Sequence, residues 1–92
     1  MIETIKHKRL RQFYETGTRR GINAQWETRL RDILFLLDTA SSPEDMNLPG
    51  MNFHSLRGNY EGFYAVSVTG NWRVVFTFED GNATGVDLVD YH

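Results

Sequence analysis

The spacing of apolar residues changes period partway along the chain, and that change restricts the fold more than any other feature. Leu10, Phe13 and Tyr14 fall at i, i+3 and i+4, and Trp26, Leu30, Ile33, Leu34 and Leu37 form a second stripe at i, i+4, i+7, i+8 and i+11. That repeat puts one apolar face on each of two helices. Beyond residue 62 the period is two. Tyr64, Val66 and Val68 alternate with Phe63, Ala65 and Ser67; Trp72, Val74, Phe76 and Phe78 alternate with Arg73, Val75, Thr77 and Glu79; Val86, Leu88 and Asp90 alternate with Asp87, Val89 and Tyr91. Successive side chains of a strand point to opposite faces, so this half reads as strands of a sheet.

Punctuation between the runs sets the connections. Gly17 stands where a C-terminal cap belongs, so the first helix covers residues 8 to 16. Asn23 can cap a second helix over residues 24 to 39. "SSPEDMNLPG" holds both prolines, and Ser42 before Pro43 predicts one capped helical turn rather than a domain linker. Thr69-Gly70-Asn71 joins two strands, and Asp80-Gly81 is a strong hairpin signal. Ile2 to Ile5 alternates apolar and polar residues and predicts a short first strand. Gly58 and Gly62 flank a turn that makes His54 and Arg57 neighbours of the sheet edge. The expectation is one α+β domain over residues 1–92, with two N-terminal helices packed on one face of a small, mainly antiparallel sheet and the other face free for function.

A chain of 92 residues can bury about 60 to 65% of its unfolded surface without a staple. It has no cysteine, which excludes disulfides, thiolate metal sites and cysteine nucleophiles. The N-terminal stretch "MIETIKHKRL" lacks the apolar core of a signal peptide, and the unbroken apolar run from Ile33 to Leu37 is far too short to span a bilayer. A non-exported, cytoplasmic protein is expected. The net charge of −2 hides an asymmetry: residues 1–31 carry eight Lys and Arg against three Glu, and the remainder is correspondingly acidic. Such a basic face can track phosphates, or can simply be a pair of solvated helix faces.

Chemistry-bearing residues gather in the sheet-forming half. Arg73 interrupts an otherwise apolar strand beside Trp72, where a permanent cation calls for a carboxylate, such as Asp87 or Asp90, or for a phosphate. His54 and His92 carry imidazoles, able to give or take a proton near neutrality, so the two can act as an acid and base around a phosphodiester. The sequence closes on Asp90-Tyr91-His92, three groups that accept, donate or stack. Together His54, Asp90 and His92 also number enough ligands for zinc, but neither HxH nor HExxH spacing is present. The eight glycines form neither a P-loop nor a dinucleotide fingerprint, and no nucleophile elbow is found.

The order "FHSLRG", then "GFYAVSVTGNWRVVF", then "DYH", resembles HigB toxins of the RelE-like superfamily, and the likeness runs over almost the whole chain. The resemblance implies a ribosome-dependent endoribonuclease that cuts mRNA in the ribosomal decoding site without a cofactor. It also implies neutralisation by a HigA-like antitoxin with a helix-turn-helix DNA-binding domain. By position it makes His54, Asp90, Tyr91 and His92 the catalytic cluster, with Arg57, Asn71 and Arg73 contacting RNA and Arg73 stabilising charge on the phosphorane. A non-catalytic RNA- or ribosome-binding module is the competing reading.

Overall fold

The computed structural model describes residues 1–91. Its elements run α1 (Lys8–Thr16), α2 (Glu27–Thr39), β1 (His54–Ser55), β2 (Tyr64–Thr69), β3 (Trp72–Glu79) and β4 (Asn82–Asp90), with 3-10 turns at Ala24–Trp26, Pro43–Met46 and Gly58–Tyr60. At nine residues α1 is too short to persist alone in water. It is held at both ends: His7 Nδ1 accepts the Leu10 N–H at 3.1 Å, and Gly17, left-handed at φ 76°, donates to the Phe13 carbonyl at 2.9 Å. Between those caps Leu10 and Phe13 are buried.

Asn23 caps as its sequence position suggests, its side chain accepting the Gln25 N–H at 2.9 Å, but what it opens is a 3-10 turn. The α-helix proper therefore starts at Glu27 rather than at residue 24. The tighter turn sets Trp26 against Trp72, with ring centroids 5.1 Å apart and planes tilted by 49°. Leu30, Ile33, Leu34 and Leu37 then bury the predicted stripe. Among the described residues no helix is long and apolar enough to cross a membrane.

The four strands form one antiparallel sheet in the order β1-β2-β3-β4. Asp80 and Gly81 both take positive φ, 52° and 81°, the mirror-image turn whose twist matches that of the strands it joins. In β4 the register shifts so that Gly85 and Val86 together face Phe76, with Gly85 left-handed at φ 59°. Such a bulge bends the strand. The bulged edge meets the N-terminal segment, where Gly85 N–H reaches Thr4 Oγ1 at 2.7 Å. The expected first strand is thereby reduced to two isolated parallel bridges, Ile2 to Ala83 and Ile5 to Val86, which still cover the outer edge of β4.

Directly opposed residues of an antiparallel pair share a face. Val66, Val74 and Leu88 stand in register on one face, and with Phe76, Ala83 and Val86 they join the stripes of both helices in a single buried cluster. On the other face Ala65 and Val75 pack with Leu56, and Tyr60, Phe63, Val89 and Tyr91 lie against them. The apolar cover of this second face comes from the residues around the Gly58–Tyr60 turn and from the strands themselves.

Candidate active site on the second sheet face

The pairing of the strands decides which predicted residues meet. His54 opposes Ala65, which opposes Val75; one step along, Ser67 opposes Arg73, which opposes Val89. His54, Arg73 and, by alternation, Tyr91 therefore share the face that carries the smaller apolar cluster. The sequence placed His54 near a sheet edge; in the structure it belongs to the edge strand itself, a strand of two residues that no periodicity could mark.

His54 is half-buried, and its Nδ1 lies 2.9 Å from the Asn52 carbonyl. A carbonyl only accepts, so Nδ1 carries the proton and the neutral ring keeps its lone pair on Nε2. The imidazole is thus set to take a proton through Nε2 or, once charged, to return it. Asn52 holds that carbonyl in place from a left-handed conformation, φ 52°, which asparagine tolerates better than most residues.

Arg73 is held by backbone. Its Nη1 donates to the Gly70 carbonyl at 2.6 Å and to the Trp72 carbonyl at 3.2 Å. Those bonds pin the side chain to the β2–β3 turn. Among the described residues its Nε is buried without a hydrogen-bond partner, and a buried donor left unpaired costs about 1–3 kcal/mol. Asp87, one of the acids weighed as its partner, instead turns Oδ1 to the neighbouring Leu88 N–H at 2.9 Å.

Tyr91 is drawn onto the same turn, its N–H donating to the Asn71 carbonyl at 2.8 Å. Its ring meets Tyr60 edge to face, with centroids 5.8 Å apart and planes at 74°, and Tyr60 in turn meets Phe63 at 5.7 Å. Tyr60 is a member of this aromatic group that the sequence reading passed over; its position between Gly58 and Gly62 was the available signal. Asp90 is exposed at the end of β4 opposite Trp72. By alternation its side chain starts from the helical face, the opposite side of the sheet from His54 and Arg73. Arg57 and Asn71 are exposed, the first at the start of the Gly58–Tyr60 turn and the second in the β2–β3 turn. His92 lies outside the described residues.

The basic N-terminal half is in part committed elsewhere. Glu27 takes Arg31 at 2.7 Å and Arg19 at 3.4 Å, and these bonds, the Arg31 bond above all, hold its carboxyl below the usual glutamate range. Arg31 also lies over the Phe13 ring, 5.6 Å from its centroid.

Comparison with known proteins places the chain in a family. A family model for the RelE-like toxin HigB of type II toxin–antitoxin systems matches residues 3–92. The chain is 37% identical over 92 residues to Endoribonuclease HigB of Proteus vulgaris, covering the whole of both sequences. It is 38% identical over 86 residues to Toxin HigB-1 of Vibrio cholerae serotype O1, covering 91% of this chain and 90% of that one. With an α+β fold of two helices and a four-stranded antiparallel sheet, and a match over nearly its full length, the chain belongs to the HigB-like toxins of the RelE-like family.

Proposed function

We propose that this chain is the toxin of a type II toxin–antitoxin module and acts in the cytoplasm as a ribosome-dependent mRNA endoribonuclease. The observation that carries the reading is the placing of a backbone-pinned Arg73, its buried Nε without a partner among the described residues, on the same sheet face as a His54 whose Nε2 keeps its lone pair. Two groups of that kind suit a phosphodiester: a cation for the charge that develops and a proton acceptor on the same face.

The chemistry is internal transesterification. A ribose 2′-oxygen attacks the adjacent phosphorus, its proton passes to a base, the bond from phosphorus to the 5′-oxygen breaks, and an acid protonates the leaving oxygen. The products are a 2′,3′-cyclic phosphate and a free 5′-hydroxyl, and no metal enters the balance. His54 and His92 share the acid and base roles. Asp90 orients an imidazole or serves as the base. Tyr91 stacks on a base or donates a hydrogen bond. Arg73 stabilises the phosphorane, a role worth about 3–4 kcal/mol by comparison with single oxyanion donors. Arg57 and Asn71, exposed beside the site, contact RNA. Cleavage depends on the ribosome because the decoding site presents the strand in line with the attacking hydroxyl. A HigA-like helix-turn-helix antitoxin neutralises the toxin, and DNA is met only through it.

The test mixes purified protein with bacterial ribosomes stalled on a defined mRNA, beside a ribosome-free control and a sample whose protein alone is treated with chelator and dialysed before mixing, and maps the new RNA ends. Cuts in the decoding site ending in a cyclic phosphate, unchanged by chelator and lost in Arg73→Ala, are expected. A folded protein that binds ribosomes without cutting would instead identify a non-catalytic binding module. Cutting abolished by chelator and restored by zinc would remove the metal-free mechanism.

A further inference from the structure

Arg29 is bound unlike the cations around it. Arg19 and Arg31 meet a carboxylate, whereas Arg29 reaches from α2 to backbone carbonyls of two distant segments. Its Nε donates to the Ser67 carbonyl at 3.0 Å; its Nη2 donates to the same oxygen at 2.8 Å and to the Gly50 carbonyl at 2.6 Å. Ser67 is the cross-strand partner of Arg73. Its remaining polar groups engage the loop that Arg29 holds: Ser67 N–H donates to the Met51 carbonyl at 2.9 Å, and Ser67 Oγ accepts from Asn52 Nδ2 at 3.1 Å. The next link is Asn52, whose carbonyl receives the His54 Nδ1–H.

On either side of His54 the chain is held mainly by packing, Phe53 stacking on Tyr64 and Leu56 buried with its N–H on the Phe63 carbonyl, whereas the Asn52 carbonyl itself is set by the contacts above. β1 has two residues and two pairings, fewer than a strand ordinarily needs to hold its own register. Asn52 sits at positive φ, which its surroundings must enforce. From these contacts we infer that Arg29 is a positioning residue for His54. By bridging the carbonyls of Gly50 and Ser67, its guanidinium fork fixes the Asn52 carbonyl, and with it the Nδ1–H tautomer and the setting of Nε2 relative to Arg73. The inference rests on the reading of His54 as a proton-transfer residue. A lysine cannot substitute fully, because an ammonium is a point charge without the planar fork that spans two acceptors.

The experiment compares wild type, Arg29→Lys and Arg29→Ala in three measurements: long-range proton–nitrogen spectra of the His54 imidazole in the free protein with the ring neutral, circular-dichroism melts, and cleavage kinetics on ribosome-bound mRNA. In wild type the spectra should show the Nδ1–H tautomer alone. Folded Arg29→Ala should show exchange between both tautomers and a kcat at least tenfold lower, with KM within twofold; Arg29→Lys should fall between. A folded variant that keeps the single tautomer and the wild-type kcat overturns the inference. Should Arg29→Ala fail to fold, Arg29→Lys, which retains charge and stem, carries the same readouts. If no form of the protein cleaves RNA, the proposed function falls, and the tautomer spectra still decide the role of Arg29.

Discussion

On one face of the sheet Val66, Val74 and Phe76 are wholly buried in a cluster that takes in both helices; on the other, Ala65 and Val75 are covered by little more than Leu56 and a few half-buried aromatic and aliphatic residues. The same three strands supply both. The first face keeps charge to its exposed end at Asp90, while the second accommodates Arg73, Ser67 and Asp87 between its small apolar residues. A sheet whose stability comes from one side can place polar groups on the other with limited loss. The charged residues follow the same division: Arg31 and Arg29 of α2 are engaged by the fold, while the second face keeps a cation with one donor that has no partner among the described residues.

The strongest way to break this comparison is to truncate both faces and ask whether stability and activity separate. Phe76 is fully buried among the helical stripes. Phe76→Ala should cost about 3–5 kcal/mol in urea denaturation, a large share of the roughly 5–15 kcal/mol that holds a small domain. Activity per folded molecule should be nearly unchanged. Arg73→Ala is the converse. Cleavage should fall by about 100- to 1000-fold, while the unfolding free energy moves by no more than about 1 kcal/mol, because the substitution also removes a buried donor that has no partner among the described residues. If the two losses came together in either variant, the division of the faces would not hold.

A smaller effect tests the aromatic edge of the second face. Tyr91 meets Tyr60 edge to face, and both rings pack against the apolar cluster. If it stacks on a nucleobase, Tyr91→Ala should weaken substrate binding by about 1–3 kcal/mol, and Tyr91→Phe should restore most of it. Binding of ribosome-bound mRNA by both variants measures this. A Phe variant as poor as Ala would transfer the role to the phenolic hydroxyl.

The first face was largely legible in the sequence and the second only in part. Leu30, Ile33 and Leu37 announce their helix by spacing, and Asp80-Gly81 announces its turn by the backbone conformation it requires. Arg73 was legible as a charge in an apolar strand. The setting of His54 was not. β1 is too short to show alternation, and the side chain that ties down its approach is separated by 21 residues from one partner and by 38 from the other. Both partners are backbone carbonyls, which leave no trace in residue type. The 3-10 turn before α2 was hidden similarly, since Asn23 caps either kind of helix and only the packing of Trp26 on Trp72 accompanies the choice.

The smallest effect concerns the charges of the helical side, and it sharpens the contrast with Arg73. Glu27 is held below its ordinary pKa chiefly by its bond to Arg31, with Arg19 adding to it. A carboxyl depressed on folding contributes stability that is fully present above its unfolded pKa and is lost as pH falls through the folded value. The pair is on the surface, so the contribution is small and weakens with salt. Urea midpoints of wild type and Glu27→Gln should therefore differ slightly at neutral pH and low salt, and the gap should close on acidification below the ordinary glutamate range and in high salt. Arg73, whose bonds among the described residues go to carbonyls that do not titrate in this range, should show no such closure: the stability difference between wild type and Arg73→Ala should stay flat across the same pH interval. A gap for Arg73 that closed with acid would mean that a carboxylate holds it, and that the cation of the second face is structural in the same way as those of the helices.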